Sequence, residues 1–347
     1  MMKENNVIKY FSKKDFKSVY LSKSNSLKFL FQKNEYIVVK KIDIEKIVLN
    51  KIESSLLEID NVFGNVTEYD FYKDTLSIVK DYINLEIEIL DEIAIGKHFV
   101  KCFSHELLNH FFILRMEYCP NMSVADYVNN NVYSGRFIYN FISDMDNALI
   151  FLKNKHIIHR DLKLNNILYK DEVFKITDFE LSCFDIFTKP VPATHNYYFK
   201  KYYKICGTLR YISPEMISNI GMDIEWNHFY DCSTDIWSIG CCVYQLVFSK
   251  NLFENVSSIM DISCLFKNNL QNYLDKTIVG NSSIILTIRQ MLNIDRRKRI
   301  INTDILNDTG FLSREFKIFS LNSWEIIESA SIQNLNKEFH QWLKDHN

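Results

Sequence analysis

Glycine and proline are scarce, 8 and 4 in 347 residues, where average usage would supply roughly 24 and 17. The shortage excludes collagen-like, glycine-serine linker and proline-rich disordered chains. The eight cysteines form no CxxC pair and no zinc-type spacing, which predicts reduced, mostly buried thiols. An excess of one charge is missing too. The formal net charge of −2 argues against nucleic acid or an anionic membrane as the main partner. No apolar run is long enough for a membrane span. The longest, Ile236 to Phe248, predicts a buried core helix. Met1 to Tyr10 lacks the apolar region of a signal peptide. Together these absences predict a soluble, intracellular chain, cytoplasmic or nuclear.

What is present is apolar and aromatic. The 47% hydrophobic and 14% aromatic content excludes a disordered chain, and the length suggests two domains or lobes. Ser18 to Leu21, Tyr36 to Val39 and His110 to Met116 read as strands. Ile78, Tyr82, Leu85, Ile89 and Ile93 recur at three or four residues and predict a helix. After Pro120 the pattern is mostly helical, with an amphipathic stretch from Ile138 to Lys153 and another from Ile284 to Leu292. Short strand candidates lie at Ile167 to Tyr169 and Phe174 to Ile176. A small strand-rich part before a larger helical part predicts two unequal lobes.

Chemistry concentrates in His159-Arg160-Asp161-Leu162-Lys163-Leu164-Asn165-Asn166. A carboxylate, a lysine two residues on and an asparagine five residues on can converge on one phosphoryl group. Asp161 would orient an attacking hydroxyl, Lys163 neutralise phosphate charge and Asn166 coordinate a metal. Seventeen residues after Asp161 comes Asp178-Phe179-Glu180, following the strand-like Phe174 to Ile176. A carboxylate there can hold Mg²⁺ against β- and γ-phosphates. These stretches resemble the HRDxKxxN and DFG motifs of the eukaryotic protein kinases.

The resemblance runs from about Ile8 to Leu312 and implies an α+β, bilobal kinase-like fold. It implies a β-rich N-lobe with helix αC at residues 1–118 and a helical C-lobe at 119–312. Residues 313–347 then form a C-terminal extension, read as helical from Ile332, Leu335, Phe339 and Trp342. Ile37-Val38-Val39-Lys40 is similar to the VAIK strand, making Lys40 the α/β-phosphate ligand and Glu86 its partner on αC. By the same resemblance Met116, Glu117 and Cys119 form the gatekeeper and hinge, while Phe16, Val19, Val38, Leu168 and Thr177 complete a nucleotide site. Gly207-Thr208 to Ser213-Pro214-Glu215 looks like the end of an activation segment, with Thr208 beside Asp161. Asp235-Ile236-Trp237-Ser238-Ile239-Gly240 resembles the start of helix αF. Arg299 resembles the arginine that pairs with Glu215 as a structural ion pair. The implied activity is Ser/Thr phosphorylation of protein substrates with ATP and Mg²⁺. The nearest subfamily likeness is to the phosphoinositide-dependent type of the AGC group. The 35 residues after Leu312 leave no room for a lipid-binding PH domain.

The sequence departs from the family where glycine is expected. Ser12, Lys14 and Lys17 stand at the three glycine positions of the nucleotide loop, and Glu180 stands in the DFG motif. Two readings follow: lysine charge replaces the lost amide contacts, or the loop holds ATP weakly. Val38 occupies the usual alanine site and narrows the adenine pocket. Forty-six residues separate Lys40 from Glu86, so an insertion of about residues 44–73 precedes αC, where a regulatory partner could act. Lys204 stands at the AGC phosphosite, leaving Thr188, Thr194 and Tyr197, Tyr198, Tyr202 and Tyr203 as substitutes. These departures motivate an alternative, a pseudokinase or scaffold with little ATP turnover.

Overall fold

The computed structural model describes residues 7–13, 16–23, 36–50, 68–185, 188, 206–217, 231–301 and 309–316. Lys14, residues 51–67 of the insertion, Thr194, the four tyrosines, Lys204 and the tail helix lie outside them. The chain divides into two compact units.

The first unit is an antiparallel sheet with helices. Its strands are β1 (Val7–Lys13), β2 (Lys17–Lys23), β3 (Tyr36–Asp43), β4 (Cys102–Leu108) and β5 (Phe111–Glu117), in the order β1-β2-β3-β5-β4. Successive side chains alternate faces. Ile37 and Val39 point one way into a cluster with Tyr20, Phe103 and Ile113. The register sets Val19 opposite Lys40 and Val38 opposite Met116, so these four share the other face. Residues 44–50 (α1) are helical. Helix α2 (Glu68–Ile93) buries Leu85, Ile89 and Ile93. It begins at Glu68, inside the stretch expected as an insertion. The hairpin of β1 and β2 pairs Lys13 with Ser18. The register shifts between Val7 and Lys9 and between Tyr10 and Ser12, yet Ser12 and Lys17, at two of the missing glycine positions, remain strand residues.

The second unit is mainly helical. Its first elements are α3 (Val124–Asn130), β6 (Tyr133–Ser134) and α4 (Gly135–Asn154). A Ser123–Asp126 capping box starts α3. The Ser134 hydroxyl caps α4, accepting from the Phe137 N–H. Along α4, Phe137, Ile138, Phe141, Ile142, Met145, Leu149 and Leu152 are buried. That stripe is what the sequence spacing predicted, and each such side chain contributes about 1.5–3 kcal/mol when buried. Short ribbons follow, with β7 (Ile157–Ile158) and β8 (Ile167–Lys170) pairing β10 (Cys183–Phe184) and β9 (Val173–Ile176) respectively. Then come α5 (Pro214–Ile217), α6 (Ser233–Phe248), α7 (Ile259–Asn268), α8 (Leu270–Thr277), α9 (Ser283–Met291), α10 (Thr309–Ser313) and β11 (Glu315–Phe316). Helix α6 is buried nearly all round, as its apolar run predicted. A Cβ on Gly240 would come 2.9 Å from the Met291 Cβ, so glycine there lets α6 and the end of α9 approach closely.

Candidate active site

Catalytic-type side chains gather on the loop after β7. The ribbon of β7 and β10 pairs Ile158 with Cys183 and so ties this loop to the segment following Asp178. His159 is fully buried. The Asp161 N–H donates to its Nδ1 at 3.2 Å, so the ring proton sits on Nε2, which donates to the Thr177 carbonyl at 3.1 Å. Arg160 adopts a left-handed φ of 68°, an unfavourable state for a non-glycine residue. Asp235, in the first turn of α6, holds this bend. Its carboxylate accepts from the His159 N–H at 2.7 Å and the Arg160 N–H at 2.9 Å. Burial pushes the Asp235 carboxyl upward from the ordinary range, while His159 and the two backbone donors pull it back. Sequence reading missed Asp235 as the anchor of the loop. Its signal was the Asp-x-Trp at the head of an all-apolar helix, where a buried acid needs donors.

So anchored, the loop brings the predicted residues together. Asp161 Oδ2 accepts from Asn166 Nδ2 at 2.9 Å and lies 3.4 Å from Lys163 Nζ. Asp161 Oδ1 accepts from the Thr208 hydroxyl at 2.6 Å, and Lys163 Nζ donates to Thr208 Oγ1 at 2.7 Å. Thr208 reaches this position because Gly207 bends before it with φ +107°. A Cβ on Gly207 would meet the Arg160 carbonyl at 2.4 Å. Gly207→Ala is therefore expected to cost about 1–3 kcal/mol and to lower turnover, read by chemical denaturation and a kinase assay on one preparation.

Asn166 spends both amide hydrogens on Asp161, on its backbone carbonyl and its carboxylate. Its amide oxygen is left as a pure acceptor. Asp178 is held at φ 65° ahead of a short turn, Phe179–Leu181. An amide oxygen and a carboxylate suit Mg²⁺, which takes few protein ligands and completes its shell with phosphates and water. Among the described residues there is no group of three or more His, Cys, Asp or Glu side chains placed to hold a metal ion. Phe179 is buried, with its ring 4.8 Å from that of His159 and 6.1 Å from that of Phe99. Glu180 is exposed and absent from the positive-φ residues. This conformation does not require glycine there.

In the first unit, Lys40 Nζ donates to Glu86 Oε1 at 3.0 Å, both side chains being 5% exposed. The partners are 46 residues apart in sequence. Val19, Val38 and Met116 share the Lys40 face of the sheet. Phe16 precedes β2, and its carbonyl accepts from the Asp43 N–H. The Glu117 N–H donates to the Lys101 carbonyl, and its carboxylate accepts from the Lys101 N–H; Cys119 is buried. An aromatic contact was also missed: the Phe11 ring stacks 6.5 Å from that of Tyr118, which meets Tyr36 edge-on at 6.3 Å. In the second unit, Leu168 bridges Ser123, and the Thr177 N–H donates to the Asn166 carbonyl.

Glu215 and Arg299 form a two-pronged pair, Nη1–Oε1 2.5 Å and Nη2–Oε2 2.8 Å. The fully buried guanidinium also donates to the carbonyls of Asn293 and Ser233 and lies 5.0 Å from the Trp237 ring.

The comparisons with known proteins agree with this geometry. A 3-phosphoinositide-dependent protein kinase B of Dictyostelium discoideum is 29% identical over 256 residues, 72% of this chain and 25% of its own length. The cell cycle serine/threonine-protein kinase CDC5/MSD2 of Saccharomyces cerevisiae is 30% identical over 237 residues, 65% of this chain and 30% of its own. Serine/threonine-protein kinase PLK1 of Xenopus laevis is 35% identical over 164 residues, 47% of this chain and 24% of its own. The chain thus spans about a quarter to a third of the length of these relatives. Similarity to the phosphoinositide-dependent type is matched by similarity to the PLK type, so the comparisons support the superfamily and not the AGC placement. The family described as the protein kinase domain matches residues 71–311, a span that starts after Lys40 and the glycine-free hairpin. With its α+β architecture and this match over most of its length, the chain belongs to the protein kinase domain family.

Proposed function

We propose that the chain is a Ser/Thr protein kinase that transfers the ATP γ-phosphate to protein hydroxyl groups. The observation that carries this reading is the network joining Asp161, Lys163, Asn166 and Thr208. Asp161 orients the acceptor hydroxyl and takes its proton. Lys163 neutralises charge on the phosphoryl oxygens, and Thr208 holds Lys163 and Asp161 in register. Lys40, fixed by Glu86, positions the α- and β-phosphates. Asn166 and Asp178 would hold Mg²⁺, which when bound neutralises phosphate charge. Phe16, Val19, Val38, Met116, Glu117, Cys119, Leu168 and Thr177 are assigned to nucleotide binding.

The motif stretches from Ile157 to Lys163 and from Tyr211 to Glu215 favour a place near the phosphoinositide-dependent type. A reducing compartment, cytoplasm or nucleus, suits the eight free thiols. Helix α2 and the stretch before it are the assigned place for a regulatory partner. Among the described residues no helix is long and apolar enough to cross a membrane.

The test is transfer of labelled γ-phosphate from ATP with Mg²⁺ to generic protein substrates, followed by phosphoamino-acid analysis. Label on serine or threonine supports the reading, and label on tyrosine alone overturns it. Lys40→Met is expected to lower kcat/KM for ATP by about 10²–10³. It also removes most of the ATP-induced rise in melting temperature, which separates a binding defect from a chemical one.

A further inference from the structure

A cavity of about 310 Å³ opens in the second unit, outside the residues assigned to phosphoryl transfer. Its apolar wall is built by Pro214, Ile217, Phe266 and Ile294, and its mouth by Lys267 and Arg296. The volume is at the low end of ligand sites and accommodates one or two apolar side chains. Ile294 stands 39% exposed on this wall, so an apolar side chain seated against it would remove that surface from water.

Charge selects the occupant. Glu215, the acid on the cavity wall, is paired with Arg299. Arg296 meets Asp231 at 3.2 Å. Lys267 is exposed and has no ionic partner among the described residues. Next to Arg296, Arg297 and Lys298 share Asp295. Among the described residues the rim is therefore net positive, through Lys267 and through Arg297 and Lys298 sharing one carboxylate.

Position selects the role. Pro214 and Ile217 belong to the same continuous segment as Thr208, which bonds to Asp161. Six residues separate Thr208 from Pro214, a reach of at most about 20 Å. We propose that this cavity docks an acidic segment of the protein substrate, with an apolar side chain seated against Ile294 and Phe266 and a carboxylate answering Lys267. The proposal rests on the kinase reading, since it names how that enzyme holds its substrate away from the reacting hydroxyl. Docking there adds affinity without touching the transfer machinery.

The test reads binding without ATP, so its outcome is independent of turnover. The probe is a fluorescein-labelled peptide with a leucine-phenylalanine pair flanked by three glutamates on each side, titrated with the full chain and followed by anisotropy. Saturable binding is expected, weakened about five-fold by Lys267→Glu and about ten-fold by Ile294→Ala. Both positions are solvent-facing, and unchanged melting curves verify that the variants are folded. Peptides with lysine for glutamate, or alanine for the apolar pair, are expected not to saturate. Equal binding of the lysine peptide, binding indifferent to both variants, or no saturation at millimolar chain overturns the docking site. Phosphoryl transfer measured beside it tells that failure from failure of the kinase reading.

Discussion

Asp161→Asn lowers phosphoryl transfer by about 10²–10⁴, the range for losing a positioned general base, and leaves the fold nearly as stable. The substitution is isosteric, so the loop keeps its shape. Its chemistry changes in two ways. An amide cannot take the acceptor proton, and one of its two terminal atoms becomes a donor. Asp161 now accepts from Thr208 on Oδ1 and from Asn166 on Oδ2. In the variant the amide oxygen keeps the Asn166 contact, and the new NH₂ faces the Thr208 hydroxyl, which rotates to accept it. His159, Asp235 and the ribbon of β7 and β10 are untouched, so the loop anchor survives. The measurement is initial rate with saturating ATP and Mg²⁺, paired with a thermal melt. Equal rates in the two proteins would remove Asp161 from the mechanism and return the chain to a scaffold reading.

Arg299→Ala is the largest expected effect on stability, about 3–5 kcal/mol, because it removes the two-pronged partner of the largely buried Glu215. At about 2–4 °C per kcal/mol for a chain of this order of size, the melting temperature falls by about 10 °C. More than the ion pair is lost. The guanidinium also serves the carbonyls of Asn293 and Ser233 and packs on Trp237. It thus joins α5, the start of α6 and the segment after α9. Glu215→Leu with Arg299→Met replaces the pair by apolar side chains, and the double variant is expected to recover part of the loss. Additive losses in that double-mutant cycle would show that the two residues do not act as a pair. Reduced turnover is expected alongside, since Glu215 anchors the segment that carries Thr208.

Much of the architecture is legible where periodicity is strong. The stripe along α4 and the apolar run of α6 are both visible in the residue pattern, because a helix with one buried face must repeat every three to four residues. Strands β1 and β4 are harder to read. Both lie at sheet edges, and residues from Ile8 to Phe11 and from His105 to Leu108 are exposed, so no burial alternation marks them. Helix α2 extends back to Glu68, well before Ile78, where the three- to four-residue apolar repeat becomes plain. The Lys40–Glu86 contact is suggested by motif order. Its 3.0 Å distance depends on where the sheet and α2 meet, which no local pattern encodes.

The site divides in the same way. Residue types and their spacing along the chain already named the chemistry: an acid, a lysine and an asparagine on one loop, and a second acid on the next turn. They also showed that glycine is missing from four family positions. Which of those losses matters is set by packing. Ser12 pairs with Val19 just after a register shift and Lys17 pairs with Ile42, neither at positive φ, and Glu180 sits outside the left-handed region with its side chain in water. Those positions tolerate a side chain because backbone angle and neighbours leave room for one. At Gly207, φ is +107° and the Arg160 carbonyl is 2.4 Å from where a Cβ would lie. Glycine is required there because a distant part of the chain, held by Asp235, has been folded against it.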